Sequence, residues 1–339
     1  MRKILSVMFF ILFALFASIV LFAGTEKEES MKEEGMEVEW KPELEFLSVY
    51  SGSLGGGWHP VGALTAEIIH EEIPALTTKV APGGGTANPS TVQRKDGLFG
   101  MTFTGTAVQA MQGVGDFDEP HPDIRHVMSI WTTPFWWVVL RDGDIYSVAD
   151  LYNKDISPGR VGQTGLKVAT ETLRAYGLTF DSIKEAGGTV SLLGDQERLN
   201  SFRDRHLDAI SGLFPLNFSG LQELKVTPGI RLIGSDEEHI KIVQEEIPGL
   251  AKVVVPPKSF DKYQTEELKT VSAVTCFIAH KDLEDELVYR IVEAIIKNME
   301  RYSTYFTMED NTMDTPLAGN QIPVHPGAMR YFEEHGYTE

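Results

Sequence analysis

The sequence holds one cysteine, Cys276. This excludes an internal disulfide and any zinc cluster built on thiolates. Cys276 stands in Ser272-Ala273-Val274-Thr275-Cys276-Phe277-Ile278, which reads as a buried strand, so an inert core thiol is expected. Basic residues are scarce: 30 Lys and Arg face 49 Asp and Glu, a formal net charge of -19 over 339 residues. A nucleic-acid binder needs a basic surface to displace counterions, so that class is excluded. There is no Gly-Lys-Ser/Thr phosphate loop and no Gly-x-Ser-x-Gly nucleophile elbow. No histidine pair has zinc spacing. His121 and His126 lie in a proline-flanked segment with no helix to align them. Adjacent acidic pairs such as Glu71-Glu72 and Glu245-Glu246 diverge on a helix and read as solvated faces. Neither a metal nor a cofactor is implied.

One apolar run of membrane length exists. Arg2 and Lys3 precede Ile4 to Ala23, the layout of an export signal. Residues 1–23 are therefore expected to be a signal peptide or an N-terminal anchor. Localisation is expected to be periplasmic or otherwise extracytoplasmic. Residues 24–43 follow, with seven Glu and two Lys between Glu26 and Glu39. Such a stretch has little apolar surface to bury and predicts an acidic flexible linker.

The body predicts alternating strands and helices. Phe46 to Tyr50 reads as a strand, Ser51 to Gly57 as a glycine-rich turn, and Val61 to Glu72 as an amphipathic helix. Asn88-Pro89 resembles a helix cap followed by proline at the first helical position. Leu98 to Phe103 returns as a strand, and Thr104 is a candidate cap for a helix over Ala107 to Gln112 with Gly113 as its stop. Phe135 to Leu140, Arg160 to Gly162, Leu207 to Phe214, Ile230 to Ile233, Val253 to Val255 and Thr270 to Ala279 predict strands or strand ends. Leu166 to Tyr176, Gln196 to His206, Glu237 to Glu245 and Glu284 to Arg301 predict helices. This alternation implies α/β layers with largely parallel sheets.

In such sheets, ligands sit beyond the carboxyl ends of strands, where helix N-termini point. Three glycine-rich turns qualify: Gly52 to Gly57, Gly83 to Gly85 and Gly162 to Gly165. Each is a potential anion site through free backbone N–H groups and the helix dipole. Trp58 and His59 flank the first turn as candidate cleft residues. In an alternating strand Trp136 and Trp137 face opposite ways, so Trp137 is assigned to the core and Trp136 is a candidate ligand contact.

Four segments carry a family resemblance. Gly52-Ser53-Leu54-Gly55-Gly56-Gly57-Trp58-His59-Pro60-Val61-Gly62 resembles the opening motif of the TAXI family, the substrate-binding proteins of TRAP (tripartite ATP-independent periplasmic) transporters. Pro82-Gly83-Gly84-Gly85-Thr86-Ala87-Asn88 resembles its second loop, and Ala107 to Phe117 the following helix and loop. Ile322-Pro323-Val324-His325-Pro326-Gly327-Ala328 with Gly336 resembles a C-terminal signature. Together they span nearly the whole chain after its leader.

The resemblance implies a two-lobed, periplasmic-binding-protein-like α/β fold of the type II kind, with the ligand cleft between the lobes. Residues 44–134 and 257–339 would form lobe one and 135–256 lobe two. It implies an exported receptor, not an enzyme. Such a receptor would bind a small organic anion, a glutamate-like amino acid or a dicarboxylate, and deliver it to an ion-coupled TRAP permease. Carried over by position, Ser53, Gly56, Gly57 and Trp58 match the first ligand loop and Thr86 and Asn88 the second. Gly162, Thr164 and Gly165 match the third. There Gly162-Gln163-Thr164-Gly165-Leu166-Lys167 replaces the usual Gly-Ser-Gly-Thr, and Lys167 is an added candidate contact. His59 stands where a second Tyr is frequent. His325 and Pro326 are expected to cap the terminal helix, not to touch ligand. Two alternatives stay open on sequence alone: a ligand sensor for a membrane signalling partner, and a periplasmic hydrolase or isomerase using His59.

Overall fold

The computed structural model of the chain describes residues 40–305 and 315–337. Residues 1–23, expected to be a signal peptide or anchor, and nearly all of the expected linker over 24–43 lie outside the described residues. The elements below all lie in the compact unit that starts at Pro42.

The first stretch runs β1 (Phe46–Tyr50), α1 (Trp58–Glu72), β2 (Thr77–Ala81), α2 (Ala87–Gln93), β3 (Phe99–Phe103), α3 (Thr104–Gln112) and β4 (Ile124–Leu140). Next come β5 (Ile156–Ser157), α4 (Thr164–Ala175), α5 (Phe180–Glu185), α6 (Asp195–Arg203), β6 (Ala209–Leu213) and α7 (Ser219–Val226). Then follow β7 (Ile230–Ile233), α8 (Glu237–Glu246), β8 (Ala251–Val255), β9 (Leu268–His280), α9 (Asp285–Lys297) and α10 (Pro326–His335). The α/β class is as expected, but the sheets are not largely parallel. Among the described residues, β1–β2, β1–β3 and β5–β6 are parallel, whereas every pairing of β4 and β9 with another strand is antiparallel. The cause is two long strands, β4 with 17 residues and β9 with 13, that run through the molecule and pair with each other. β4 changes partners midway. Residues up to Pro134 pair with β9, and from Phe135 onward β4 pairs with β6 and β7.

Both faces of the second half of β4 are covered. Phe135, Trp137 and Val139 enter one hydrophobic cluster, and Trp136 and Val138 enter another on the opposite face. Complete burial of such a side chain contributes roughly 1.5–3 kcal/mol or more. Trp136 is therefore core, as Trp137 is, and does not face a ligand. The alternation was read correctly, but helices cover both sheet faces, so neither position is left open.

Other local differences have physical causes. Residues 160–162 form a turn, not a strand end; the strand is Ile156–Ser157. α2 starts at Ala87 rather than after Asn88, because the Asn88 side chain turns inward to hold the strands. α3 starts at Thr104 itself and stops at Gly113, whose φ of 67° is the left-handed conformation glycine adopts freely. The helix expected over 284–301 is α9 followed by a separate 3-10 turn over Met299–Thr304. β2, α5 and α7 were not anticipated. Cys276 is fully buried, and burial pushes its thiol pKa up, which fits an inert core thiol.

The C-terminal segment is strapped across β4. The Ser129 N–H donates to the Pro316 carbonyl at 2.7 Å, and the His126 N–H donates to that of Pro323 at 3.0 Å. His325 caps α10, its Nδ1 accepting the Gly327 N–H at 3.3 Å. His126 is fully buried and its Nε2 lies 3.1 Å from the Pro316 carbonyl. Burial pushes its pKa down to about 4. An unfolded histidine titrates near 6.5, so stability is fully present above that pH and is lost as pH falls from 6.5 towards 4. The difference corresponds to about 3 kcal/mol. The expected result is a melting temperature that drops over this window, and a shallower drop in His126→Gln. Parallel slopes in the two proteins would remove His126 as the cause.

Candidate functional site

The N-terminal ends of three helices from different parts of the chain line one cavity of about 60 Å³. From the first stretch come Gly52, Gly57 and Trp58 at the start of α1, Gly84 and Gly85 before α2, and Phe103 at the end of β3. From beyond the partner switch in β4 come Gln163, Thr164 and Gly165 at the start of α4, and Asp195 and Arg198 on α6. Gly212, Leu213 and Phe214 at the end of β6 complete the wall. All three glycine-rich turns therefore contribute, as expected of an α/β cleft.

The charged centre of the cavity is the pair Asp195 and Arg198. Asp195 is 6% and Arg198 2% exposed, and they form an i, i+3 ion pair through Oδ1 and Nη2. The guanidinium also lies over the Phe214 ring, 5.1 Å from its centroid. Burial works against the Arg198 charge, and the neighbouring carboxylate opposes that shift. Arg198 Nε and Nη1 are buried and have no hydrogen-bond partner among the described residues. A buried donor without a partner costs about 1–3 kcal/mol, and more when charged. Two such donors on one cation in a cavity wall are chemically suited to an anionic partner.

The other carboxylate oxygen ties the cleft together. Asp195 Oδ2 accepts from the Ser53 hydroxyl and, at 3.0 Å, from Gln163 Nε2. Gln163 Nε2 also lies 3.0 Å from Ser53 Oγ. Gly56 is pressed against the same oxygen, and a Cβ there would overlap it. Further bonds cross the cleft. The Thr86 and Ala87 N–H groups donate to the Gly162 carbonyl at 3.2 and 3.3 Å, and Arg160 Nη2 donates to that of Gly83 at 3.0 Å. Thr106 and Thr164 hydroxyls meet at 3.2 Å, and the Gln196 N–H donates to the Leu54 carbonyl at 3.2 Å. These bonds join the two sides of the cleft in this structure.

Of the residues picked from sequence, Gly57, Trp58, Thr164 and Gly165 line the cavity. Trp58 packs on Phe103 with ring centroids 4.6 Å apart. Ser53, Gly56, Thr86 and Gly162 sit just behind, in the contacts that join the loops. Asn88 is fully buried and committed elsewhere. Its Nδ2 donates to the Ser51 and Met101 carbonyls at 2.9 and 2.7 Å, and its Oδ1 accepts the Gly84 N–H at 3.1 Å. It shapes the second loop rather than offering an amide to a ligand. Lys167 is outside the lining, with its Nζ 3.0 Å from Glu171 Oε1. His59 is also outside it, its Nδ1 3.4 Å from Ser51 Oγ. Trp136 is core, as described above. Sequence reasoning missed Asp195, Arg198, Phe103 and Phe214. Among the described residues no group of three or more His, Cys, Asp or Glu could hold a metal.

The fold is that of two-lobed periplasmic binding proteins. The periplasmic binding protein BugD is 13% identical, with a TM-score of 0.55 over 87% of this chain and 95% of that one. The alkanesulfonate-binding protein SsuA from Xanthomonas axonopodis pv. citri, bound to MOPS, is 13% identical with a TM-score of 0.46, covering 88% of this chain and 96% of that one. The sequence pattern of the NMT1-like family matches residues 49–336, most of the chain, and the protein belongs to that family.

Proposed function

We propose that this protein is an extracytoplasmic solute receptor that closes two lobes on a small organic anion. The anion's head group, a carboxylate, sits on Arg198. The receptor delivers this ligand to an ion-coupled membrane permease of the TRAP type. The observation that carries the binding role is the buried Arg198 guanidinium, with two unpartnered donors in the wall of a cavity built from both parts of the chain. The permease is proposed from the TAXI-like loops at Gly52 to Gly62 and Pro82 to Asn88. The partner change in β4, between Pro134 and Phe135, supports one crossing between the lobes there. Phe260, Leu268 and Val271 pack with the second stretch, which supports a return crossing within β9 rather than after residue 256. Closure follows when a ligand makes contacts with both lobes at once.

Thermal unfolding of the full chain against small carboxylates, amino acids and neutral metabolites tests the binding role. A ligand of the native state raises the melting temperature by mass action. Acids are expected to give the shifts. Shifts with neutral compounds alone would end the anion reading. Trp58 supplies a wall of the cavity, so Trp58→Ala is expected to weaken the best-binding acid at least tenfold by titration calorimetry. Unchanged affinity would remove Trp58 from the site.

A further inference from the structure

The charges in the cleft limit what kind of anion it can hold. Among the described residues, Arg198 is the one cationic side chain in the cavity lining and Asp195 the one anionic side chain. The two already pair with each other, so the lining carries no net charge. Lys167, the cation expected from the sequence, is paired with Glu171 and stands outside the lining. Arg160 is also outside the lining; its Nη2 donates to the Gly83 carbonyl, and its Nε is buried with no partner among the described residues. The apolar part of the lining is Trp58 against Phe103, Leu213, and Phe214 beneath the guanidinium.

We propose that the ligand is a single-headed organic acid with a short apolar body, and that Asp195 sets this specificity by excluding a second carboxylate. This rests on the anion-receptor reading and narrows it away from dicarboxylates. The head group takes the unpartnered Arg198 donors, and the body lies against the Trp58 and Phe103 rings. A second carboxylate would enter a small cavity whose lining, among the described residues, holds no cation beyond Arg198, and in which Asp195 stands on the same helix wall. Buried charge without a partner is costly. The N-termini of α1, α4 and α6 supply only partial positive charge, about half a unit each, and only within their first turn.

Butanoate and succinate have the same four carbons and differ by one carboxylate. Titration calorimetry of the full chain with butanoate, butane-1-sulfonate, succinate and glutamate provides the test. Butanoate is expected to bind at least tenfold tighter than succinate, with butane-1-sulfonate on the butanoate side of the gap. In Asp195→Asn the ratio between butanoate and succinate should shrink at least threefold, because the repelling charge is gone. Succinate or glutamate as the tightest ligand would overturn the proposal and leave the receptor reading intact, with the helix ends holding the second head. A ratio unchanged in a folded Asp195→Asn would remove Asp195 as its cause. Failure of all four acids to bind would sink the proposal together with the anion receptor. If Asp195→Asn does not fold, the ratio in the unaltered chain decides alone.

Discussion

Arg198→Ala is expected to abolish anion binding, with the largest loss of any single change in the cleft. The guanidinium is buried, lies over Phe214, and presents Nε and Nη1 with no partner among the described residues. Truncating one partner of a buried, hydrogen-bonded charge pair costs about 2–5 kcal/mol. This corresponds to roughly 30- to 4,000-fold in affinity. Two effects contribute. The ligand loses its cation, and Asp195 keeps a charge that nothing in the lining neutralises. Arg198→Lys separates them. It keeps a positive charge for Asp195 but has no planar fork, so it should restore stability more than affinity. Titration calorimetry with butanoate reads the affinity, and a melting curve reads the fold. Binding within threefold of the unaltered protein in a folded Arg198→Ala would place the ligand elsewhere.

Arg198 was legible in the sequence. On α6 the apolar residues that face the core are Leu199 and Phe202. Four residues before each stand Asp195 and Arg198, so both charges lie on the stripe that packs inward. Charges on an apolar stripe are rare unless they pair or bind something. The expected helix began at Gln196, one residue late, and Asp195 fell into the preceding loop. That single residue hid the pair. By contrast, the three glycine turns stood out because a chain marks tight approaches with glycine, and they all converge on one cavity. Trp136 was misread for the opposite reason. Alternation tells which residues share a face, but not whether the other face is covered. The mixed pairing of β4 and β9 was also hidden. Strand direction depends on which strands meet across long stretches of chain, and local periodicity carries no record of that. Loop composition therefore located the cleft better than strand pattern described the sheet.

Gly84→Ala is expected to hold the cleft open without harming either lobe. Gly84 donates its N–H to Asn88 Oδ1 at 3.1 Å, and its φ lies outside the left-handed region, so alanine can adopt the same backbone. A Cβ at this position would overlap the carbonyl oxygen of Gly162. That oxygen belongs to the opposite side of the cleft, where it accepts from the Thr86 and Ala87 N–H groups. A backbone atom cannot swing aside as a long side chain can. The relief open to the protein is to separate the two loops, which breaks both bonds and widens the cavity. Overpacking of this kind typically costs about 1–3 kcal/mol. The cost falls on the closed form alone, so apparent affinity should drop roughly 5- to 150-fold while the ligand-free melting temperature changes little. Small-angle scattering distinguishes this from damage at the anion site. The unaltered protein should become more compact when saturated with butanoate, and Gly84→Ala should not, or only at far higher concentration. Arg198→Ala would fail to compact as well, but Gly84→Ala keeps its guanidinium and should still bind butanoate weakly in the open form. Full affinity and full compaction in Gly84→Ala would mean that the approach of Gly84 to Gly162 is not part of closure.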